Sequence, residues 1–164
     1  MLKKNQAYLS RFKNSDQGLI EFATLIEQAE PARRDMILEA AKKEDARFLS
    51  TAMRRVVFYD DLAFIDESIL AEILSKVSPK ILAYSLRGMP AEYREKLLKT
   101  LGHRETKALR DEEEQLKAEV SESLVLGARK QILKIARSLE AQQKFVFESP
   151  DCPRLALKRK KAVG

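Results

Sequence analysis

The sequence predicts an all-α protein. Gly and Pro number only five each, while good helix formers such as Ala, Leu, Glu, Lys and Arg are frequent. Apolar residues recur at intervals of three and four along most of the chain, often after a capping residue. With 164 residues and 45% hydrophobic content, the chain is large enough to bury a core.

Three helices are predicted in the first third of the chain. Ser15 and its polar neighbours can cap a helix over residues 17–29, whose apolar side chains follow helical spacing. Pro31 suits the first position of a second helix, and a third helix runs through residues 48–56. Short helices in close succession resemble the armadillo type of architecture, so we expect a right-handed armadillo-like superhelix with two small helical subdomains.

A second group of helices is punctuated by caps and prolines. Asp66 can cap one helix, and Ser78 followed by proline starts another, which stops at Gly88. Pro90 restarts the chain, and the next helix ends at Gly102. The chain from Asp66 to Gly102 is therefore expected to form three short helices.

The last two helices differ in character. A helix from His103 to about Val120 carries many charges and few apolar residues, so we expect it to be mostly exposed. Ser121 or Ser123 can cap a long final helix whose broad apolar stripe predicts a buried position. Residues 145–147 form a brief apolar segment that is expected to fold back on the body.

Four segments follow from this pattern. They are a basic N-terminal segment, residues 1–16; an armadillo-like helical subdomain, residues 17–57; a C-terminal helical subdomain with an exposed charged helix, residues 58–149; and a flexible basic tail, residues 150–164. The net charge of +6 lies at the ends, which carry +4 each and leave the body at −2. We expect the basic ends to be solvated, and no nucleic acid as partner.

Catalysis has little support in the residue pattern. The chain has one histidine, His103, and one cysteine, Cys152, and no glycine-rich phosphate loop, so no enzyme activity, cofactor or metal site is expected. Asp60 and Asp61 are interpreted as turn and capping residues. The lone cysteine and the absence of a secretory signal or a long apolar stretch predict a cytoplasmic protein that does not span a membrane.

One charge pattern points to a binding surface. Arg104, Lys107 and Asp111 are spaced to lie on one face of the charged helix. The basic residue comes first, although the helix dipole favours acidic residues at the start, which hints at selection for a partner. An ordinary solvated face explains the same spacing and is favoured by the physics alone.

A motif near the middle of the chain carries a family resemblance. From about residue 19 to residue 148 the chain resembles the carboxy-terminal half of the bacterial flagellar motor switch protein FliG. Residues 57–62, with Asp66 after them, look like that family's aromatic hinge, a Met-Phe-x-Phe motif followed by an acidic turn. The hinge residues implied here are Val56, Val57, Phe58 and Tyr59, where the two valines replace Met and the first Phe.

Four further stretches support the same resemblance. Residues 85–88 and 93–96 are similar to the family's Ala-Leu-Lys-Gly and Leu-Arg-Glu-Lys segments at the same separation. Residues 104–112 look like its exposed torque helix, and residues 135–139 match its last long helix.

By position, the resemblance implies that four residues face the stator. Arg87 and Arg104 occupy the first two basic rotor positions, and Asp111 with Glu112 forms the acidic pair. The family's third basic residue, in a Gly-Pro-Val-Arg segment, has no counterpart, because residues 118–121 read Ala-Glu-Val-Ser. The chain also begins near the middle of the family pattern, without the amino-terminal domain or the Glu-His-Pro-Gln motif.

The resemblance implies a rotor or switch component at the cytoplasmic face of the flagellar basal body. Its expected partners are a FliM-type switch protein, a cytoplasmic loop of a MotA-type stator and further copies of itself in a ring, with only peripheral membrane association. One alternative is a structural adaptor that has kept the fold but left the motor. Another is a nucleic-acid or membrane-surface binder that acts through the basic residues 158–161.

Overall fold

The structure, a computed structural model, describes residues 8–116 and 120–147. All regular secondary structure in these two ranges is α-helical or 3-10 helical, so the predicted all-α class is confirmed. The described chain divides into two compact units, one ending at Val57 and the other beginning at Phe58. In both units helices pack on helices across short turns, in agreement with the armadillo-like type.

The first unit contains a 3-10 helix and two α-helices. They are the 3-10 helix Ser10–Phe12, α1 (Asp16–Gln28) and α2 (Pro31–Met53). The Ser15 hydroxyl accepts a hydrogen bond from the Gly18 amide at 3.0 Å, so the predicted cap of α1 is confirmed. At the other end, the Arg34 guanidinium on α2 donates to the Ile26 carbonyl at 3.0 Å, which satisfies a carbonyl that α1 leaves unpaired.

The core of the first unit includes the start of the described chain. Leu9 and Phe12 are 0% and 3% exposed, and the Phe12 ring lies 5.2 Å from the Phe22 ring, centroid to centroid. The expectation of a solvated N-terminal segment is therefore wrong for Leu9 and Phe12, while Ser10 and Arg11 between them are exposed. Gly18 permits this packing, because a Cβ atom there would lie 2.5 Å from the Phe12 carbonyl oxygen.

Helix α2 contains a kink where the sequence predicted a break between two helices. Asp45 departs from helical geometry with φ −158° and ψ 91°, so α2 consists of two helical halves that meet at a kink. The Asp45 carboxylate accepts from the Phe48 amide at 2.9 Å and pairs with Lys13 Nζ at 2.7 Å. The predicted break between two helices is therefore confirmed, and its connection is a single residue, because the Asp45 carboxylate caps the second half of the helix.

The second unit contains a 3-10 helix and five α-helices. They are the 3-10 helix Tyr59–Phe64, α3 (Glu67–Ser75), α4 (Pro79–Ser85), α5 (Ala91–Lys99), α6 (His103–Gln115) and α7 (Glu122–Ala141). The side chains of Asp66, Ser78 and Ser121 accept amide hydrogen bonds at the starts of α3, α4 and α7, so these predicted caps are confirmed. Helix α6 is shorter than predicted, because Leu116 leaves the helical region with ψ 66°.

Helix α7 is buried at the centre of the second unit, as its apolar stripe predicted. It packs on α3, α4 and the 3-10 helix. The buried apolar side chains of α7 lie at helical spacing: Val125, Ala128, Ile132, Leu133, Ala136 and Leu139. Each large member contributes about 1.5–3 kcal/mol through burial, so this stripe is a principal source of stability in the unit.

A buried ion pair fastens the chain that follows α7. Arg137 Nη1 lies 2.6 Å from Glu140 Oε1, and the other Glu140 oxygen accepts from the Phe147 amide at 3.0 Å. Phe145 and Phe147 are 5% and 0% exposed, which confirms that residues 145–147 fold back on the unit. The predicted flexible tail, residues 150–164, lies outside the described residues.

The kink at Asp45 yields a stability prediction. Asp45→Ala removes both the cap and the Lys13 pair, whereas Asp45→Asn keeps an acceptor for the Phe48 amide. We expect melting temperatures at pH 7 in the order wild type, Asp45→Asn, Asp45→Ala, measured by circular dichroism.

Low pH distinguishes the contribution of the ionised Asp45 carboxylate from that of the capping hydrogen bond. The hydrogen bond from Lys13 and the Phe48 amide hold the pKa of Asp45 below its ordinary value of 3.8. The ionised carboxylate therefore makes its full contribution to the stability of the fold above pH 3.8. This contribution is lost as the pH falls through the lower folded-state pKa. The gap between wild type and Asp45→Asn should close there, and three equal melting temperatures at pH 7 would refute the role of Asp45.

Candidate functional site

The charged helix α6 presents an outward stripe of charge. Leu109 is 1% exposed and anchors the helix to its unit, while Arg104, Lys107 and Asp111 are exposed on one face. With 1.5 Å of rise per residue, the Cα atoms of Arg104 and Asp111 lie about 10 Å apart along the axis. We call these three residues the charged stripe; Glu112, the other predicted acidic residue, is half-buried on a neighbouring face.

Packing orients α6 within its unit, and one ion pair lies beside it. The helix packs mainly on α4. Arg94 Nη2 on α5 lies 2.6 Å from Glu113 Oε1 on α6, and both side chains are roughly a third exposed. Such an exposed pair contributes little to stability, about 0–1 kcal/mol, so the packing of buried Leu109 is what orients α6 about its axis. The charged stripe therefore faces away from the buried side of the helix.

Arg87 lies in the turn between α4 and α5, with its side chain exposed. Its amide donates to the Tyr84 carbonyl at 3.2 Å, and Gly88 follows with φ 78°, a left-handed conformation that favours glycine. A depression of about 260 Å³ is lined by this turn, Arg94 and Glu113. The fold thus brings the Arg87 turn beside the C-terminal half of α6, which sequence spacing did not reveal.

A basic residue on α7 holds the Arg87 turn and was missed by sequence reasoning. Arg129 Nε donates to the Ser85 carbonyl at 2.9 Å, and Arg129 Nη2 donates to the Arg87 carbonyl at 2.8 Å. The guanidinium carbon lies 5.1 Å from the centre of the Tyr59 ring. The only local signal is that Arg129 follows buried Ala128, which places it at the border of the apolar stripe.

The predicted hinge residues lie where one unit ends and the other begins. Val56 and Val57 are buried in the first unit, whereas Phe58 is half-buried in the second. The Val57 amide donates to Glu27 Oε1 at 3.3 Å, and the Phe58 amide donates to Asp61 Oδ2 at 2.9 Å. Two successive amides are therefore each held by a carboxylate of their own unit, and Asp61 is a capping residue as expected.

Tyr59, the last predicted hinge residue, belongs to a buried hydrogen-bond chain. Its hydroxyl donates to Ser85 Oγ at 2.9 Å, and that hydroxyl donates to the Leu82 carbonyl at 2.8 Å. The Tyr93 hydroxyl donates to the Tyr59 carbonyl at 2.6 Å. Burial raises the pKa of both phenols above the ordinary value of 10.0, because ionisation would leave a phenolate poorly solvated.

The histidine and the acidic pairs do not form a catalytic constellation in the described residues. His103 is the exposed first residue of α6, and Asp60 is exposed while Asp61 is buried as a cap. Among residues 8–116 and 120–147 no three His, Cys, Asp or Glu side chains could together hold a metal ion. No described helix is both long enough and apolar enough to cross a bilayer.

Fold and site together define an all-helical module with an exposed, charged helix. The family model described as FliG C-terminal domain matches residues 39–147, more than half of the chain. The chain therefore belongs to the FliG C-terminal domain family, and the resemblance seen in the sequence is confirmed.

Two curated relatives carry the name flagellar motor switch protein FliG. The protein of Thermotoga maritima is 25% identical over 145 residues, which cover 88% of this chain and 43% of that protein. The protein of Pseudomonas aeruginosa is 28% identical over 122 residues, which cover 74% and 36% respectively. This chain therefore spans less than half the length of these relatives.

A solved structure of full-length FliG from Aquifex aeolicus is also similar. It matches with a TM-score of 0.49 and 23% identity, over 76% of this chain and 39% of that chain.

Alkaline pH offers a test of the buried phenols. The folded-state pKa values of Tyr59 and Tyr93 exceed 10.0, so both phenols make their full contribution to the free energy of unfolding below pH 10.0. This contribution declines as the pH rises toward the folded-state pKa values. We expect the free energy of unfolding to fall more steeply above pH 10 in wild type than in the Tyr59→Phe/Tyr93→Phe double variant, in urea titrations. At pH 7 each substitution should cost about 1 kcal/mol, the value of one lost hydrogen bond.

Tyr84→Phe is the matched control, since it removes a half-buried phenol outside this hydrogen-bond chain and should retain the steep alkaline fall. Equal alkaline slopes in wild type and the double variant would show that these phenols do not govern the pH response.

Proposed function

We propose that this chain is a rotor or switch component of the flagellar motor, of the FliG C-terminal type. It presents α6 to the cytoplasmic loop of a MotA-type stator and docks on a FliM-type switch protein, in torque generation and rotation switching. It acts at the cytoplasmic face of the basal body and is non-catalytic. The observation that carries the proposal is the charged stripe on α6, which lies outward on a member of this family.

The charged stripe has a basic end and an acidic end. Arg104 lies at the start of α6 and Asp111 near its end, so neither charge complements the helix dipole. Their separation of about 10 Å is comparable to the Debye length of about 8 Å at physiological ionic strength. A partner charge at one end therefore responds mainly to the nearest residue, and the two ends do not cancel.

This arrangement favours a transient, registered contact. An acidic group on the stator is attracted at Arg104 and repelled at Asp111, so its preferred position lies toward one end of α6. Exposed charges interact with modest energy, so the contact between the stator and α6 dissociates quickly, as repeated passage of stator units requires. Arg87, on the turn beside α6, supplies a second basic position for the same partner.

The junction between the units acts as the hinge in this proposal. Glu27 holds the Val57 amide and Asp61 holds the Phe58 amide, so rotation is confined to the short link between these two anchored groups. Backbone torsions at element ends are the usual means by which domains turn. In this proposal the hinge segment is Val56, Val57, Phe58 and Tyr59, and the backbone torsions that change are those between the Val57 and Phe58 amides.

A second candidate is a structural adaptor that keeps this fold outside the motor. It is favoured by residues 118–121, which lack the third basic residue of the family pattern, and by the replaced hinge residues Val56 and Val57. A deletion strain that swims normally would support the adaptor and contradict the rotor component.

Charge reversal at Arg104 tests the rotor component. We expect Arg104→Glu to reduce swimming speed or rotation frequency at least severalfold, because both ends of the stripe then repel acidic groups. The melting temperature should stay within about 2 °C of wild type, since exposed substitutions change stability little. Lys134→Glu, with the same charge change at an exposed site on α7, is the control, and equal motility in both variants would contradict the proposal.

Docking on the switch protein is tested by titration calorimetry. We expect the purified chain to bind the middle domain of FliM from the same organism saturably, and Arg104→Glu to bind with the same affinity. That result would leave Arg104 available to the stator while the chain is held in the switch complex. Absence of heat at high concentration, with both proteins folded, would favour the adaptor.

A further inference from the structure

Arg129 makes three contacts that converge on one short stretch of backbone. Its Nε and Nη2 atoms donate to the carbonyls of Ser85 and Arg87 at 2.9 and 2.8 Å, and its guanidinium lies 5.1 Å from the centre of the Tyr59 ring. The two carbonyls are separated by 44 and 42 residues from Arg129 along the chain. A single side chain from α7 thus donates hydrogen bonds both to the end of α4 and to the turn that follows it.

We propose that Arg129 is the positioning residue for Arg87. Its hydrogen bonds fix the backbone of the Arg87 turn, so the exposed Arg87 side chain projects from a defined backbone position beside α6. The inference rests on the proposed function, because Arg87 is one of the stator-facing residues of that proposal. Arg129 itself acts through the turn and needs no contact with a partner.

The chemistry of the guanidinium suits this task. The last carbonyls of a helix lack intrahelical donors and carry the negative end of the helix dipole, so a cation that donates to them is stabilising. The planar fork of arginine can reach two carbonyls at once, whereas a lysine ammonium is a single point of charge. Stacking against the Tyr59 ring restricts the guanidinium to the orientation in which both hydrogen bonds form.

Tyr59 and Ser85 provide further contacts that hold the turn in place. The Tyr59 hydroxyl donates to Ser85 Oγ at 2.9 Å, while the Ser85 carbonyl accepts from Arg129. Ser85 is 0% exposed and is therefore held through both its side chain and its backbone. We call Arg129, Tyr59 and Ser85 the turn clamp. Because Tyr59 directly follows Phe58, the clamp links the Arg87 turn to the first residues of the second unit.

Amide hydrogen exchange tests the clamp directly. The Arg87 amide donates to the Tyr84 carbonyl and the Met89 amide to the Leu86 carbonyl, so both report opening of the turn. In Arg129→Gln these two amides should exchange at least about tenfold faster, because hydrogen bonds to charged groups are among the strongest in proteins. Amides in the middle of α7, such as that of Ile132, should keep their rates.

Two further variants make the result specific. Lys134→Gln removes the same charge from an exposed site on α7 and should leave the turn amides unchanged. Arg129→Lys retains the charge but reaches only one carbonyl, so its exchange rates should fall between wild type and Arg129→Gln. Unchanged exchange at Arg87 and Met89 in Arg129→Gln would overturn the clamp, and so would acceleration spread evenly over the unit.

Rotation measurements separate the positioning role from the proposed function. If Arg129→Gln and Arg87→Gln both reduce rotation while Lys134→Gln does not, the positioning role is supported. If Arg87→Gln reduces rotation and Arg129→Gln does not, despite faster exchange at the turn, the positioning role is overturned. If both variants rotate normally, the assignment of Arg87 to the stator surface fails, and the positioning role for rotation fails with it.

Discussion

Burial of the apolar face of α7 is the constraint on which the second unit depends. The helix packs on α3, α4 and the 3-10 helix, so its position determines where these three elements can lie. Once its stripe is buried, its bordering residues face the ends of its neighbours. Arg129 then meets the Ser85 carbonyl at the end of α4 and the Arg87 carbonyl in the turn after it, and Glu140 meets the returning Phe147 amide. The polar contacts of the unit are thus consequences of one hydrophobic surface.

The same constraint leaves α6 free to present charge. Only Leu109 of this helix is fully buried, and α4, itself packed on α7, provides the surface that receives it. A helix with so narrow an apolar face adds little burial energy, so its composition is open to selection for contact with a partner. In the proposed function, stability and stator contact are therefore carried by different helices of one unit.

Much of the local structure was predictable because it is encoded within a few residues. Ser15, Asp66, Ser78 and Ser121 cap the helices they precede, since a short polar side chain reaches an amide two or three residues ahead. Spacing predicted the break within α2, but not that a single residue, Asp45, forms it and caps the second half of the helix. The end of α6 was placed too late, since its charged residues continue without a glycine or proline to mark the stop.

Periodicity and caps were enough to determine the helical class, the helix starts and the three residues of the charged stripe, because these depend on neighbours within two turns of helix. The tertiary structure decided which basic residues hold backbone and which face outward. Arg129 grips the Arg87 turn and Glu27 holds the Val57 amide across separations of 42 and 30 residues. Such contacts leave no local pattern, because the atoms that meet are brought together only when the apolar faces of distant helices pack.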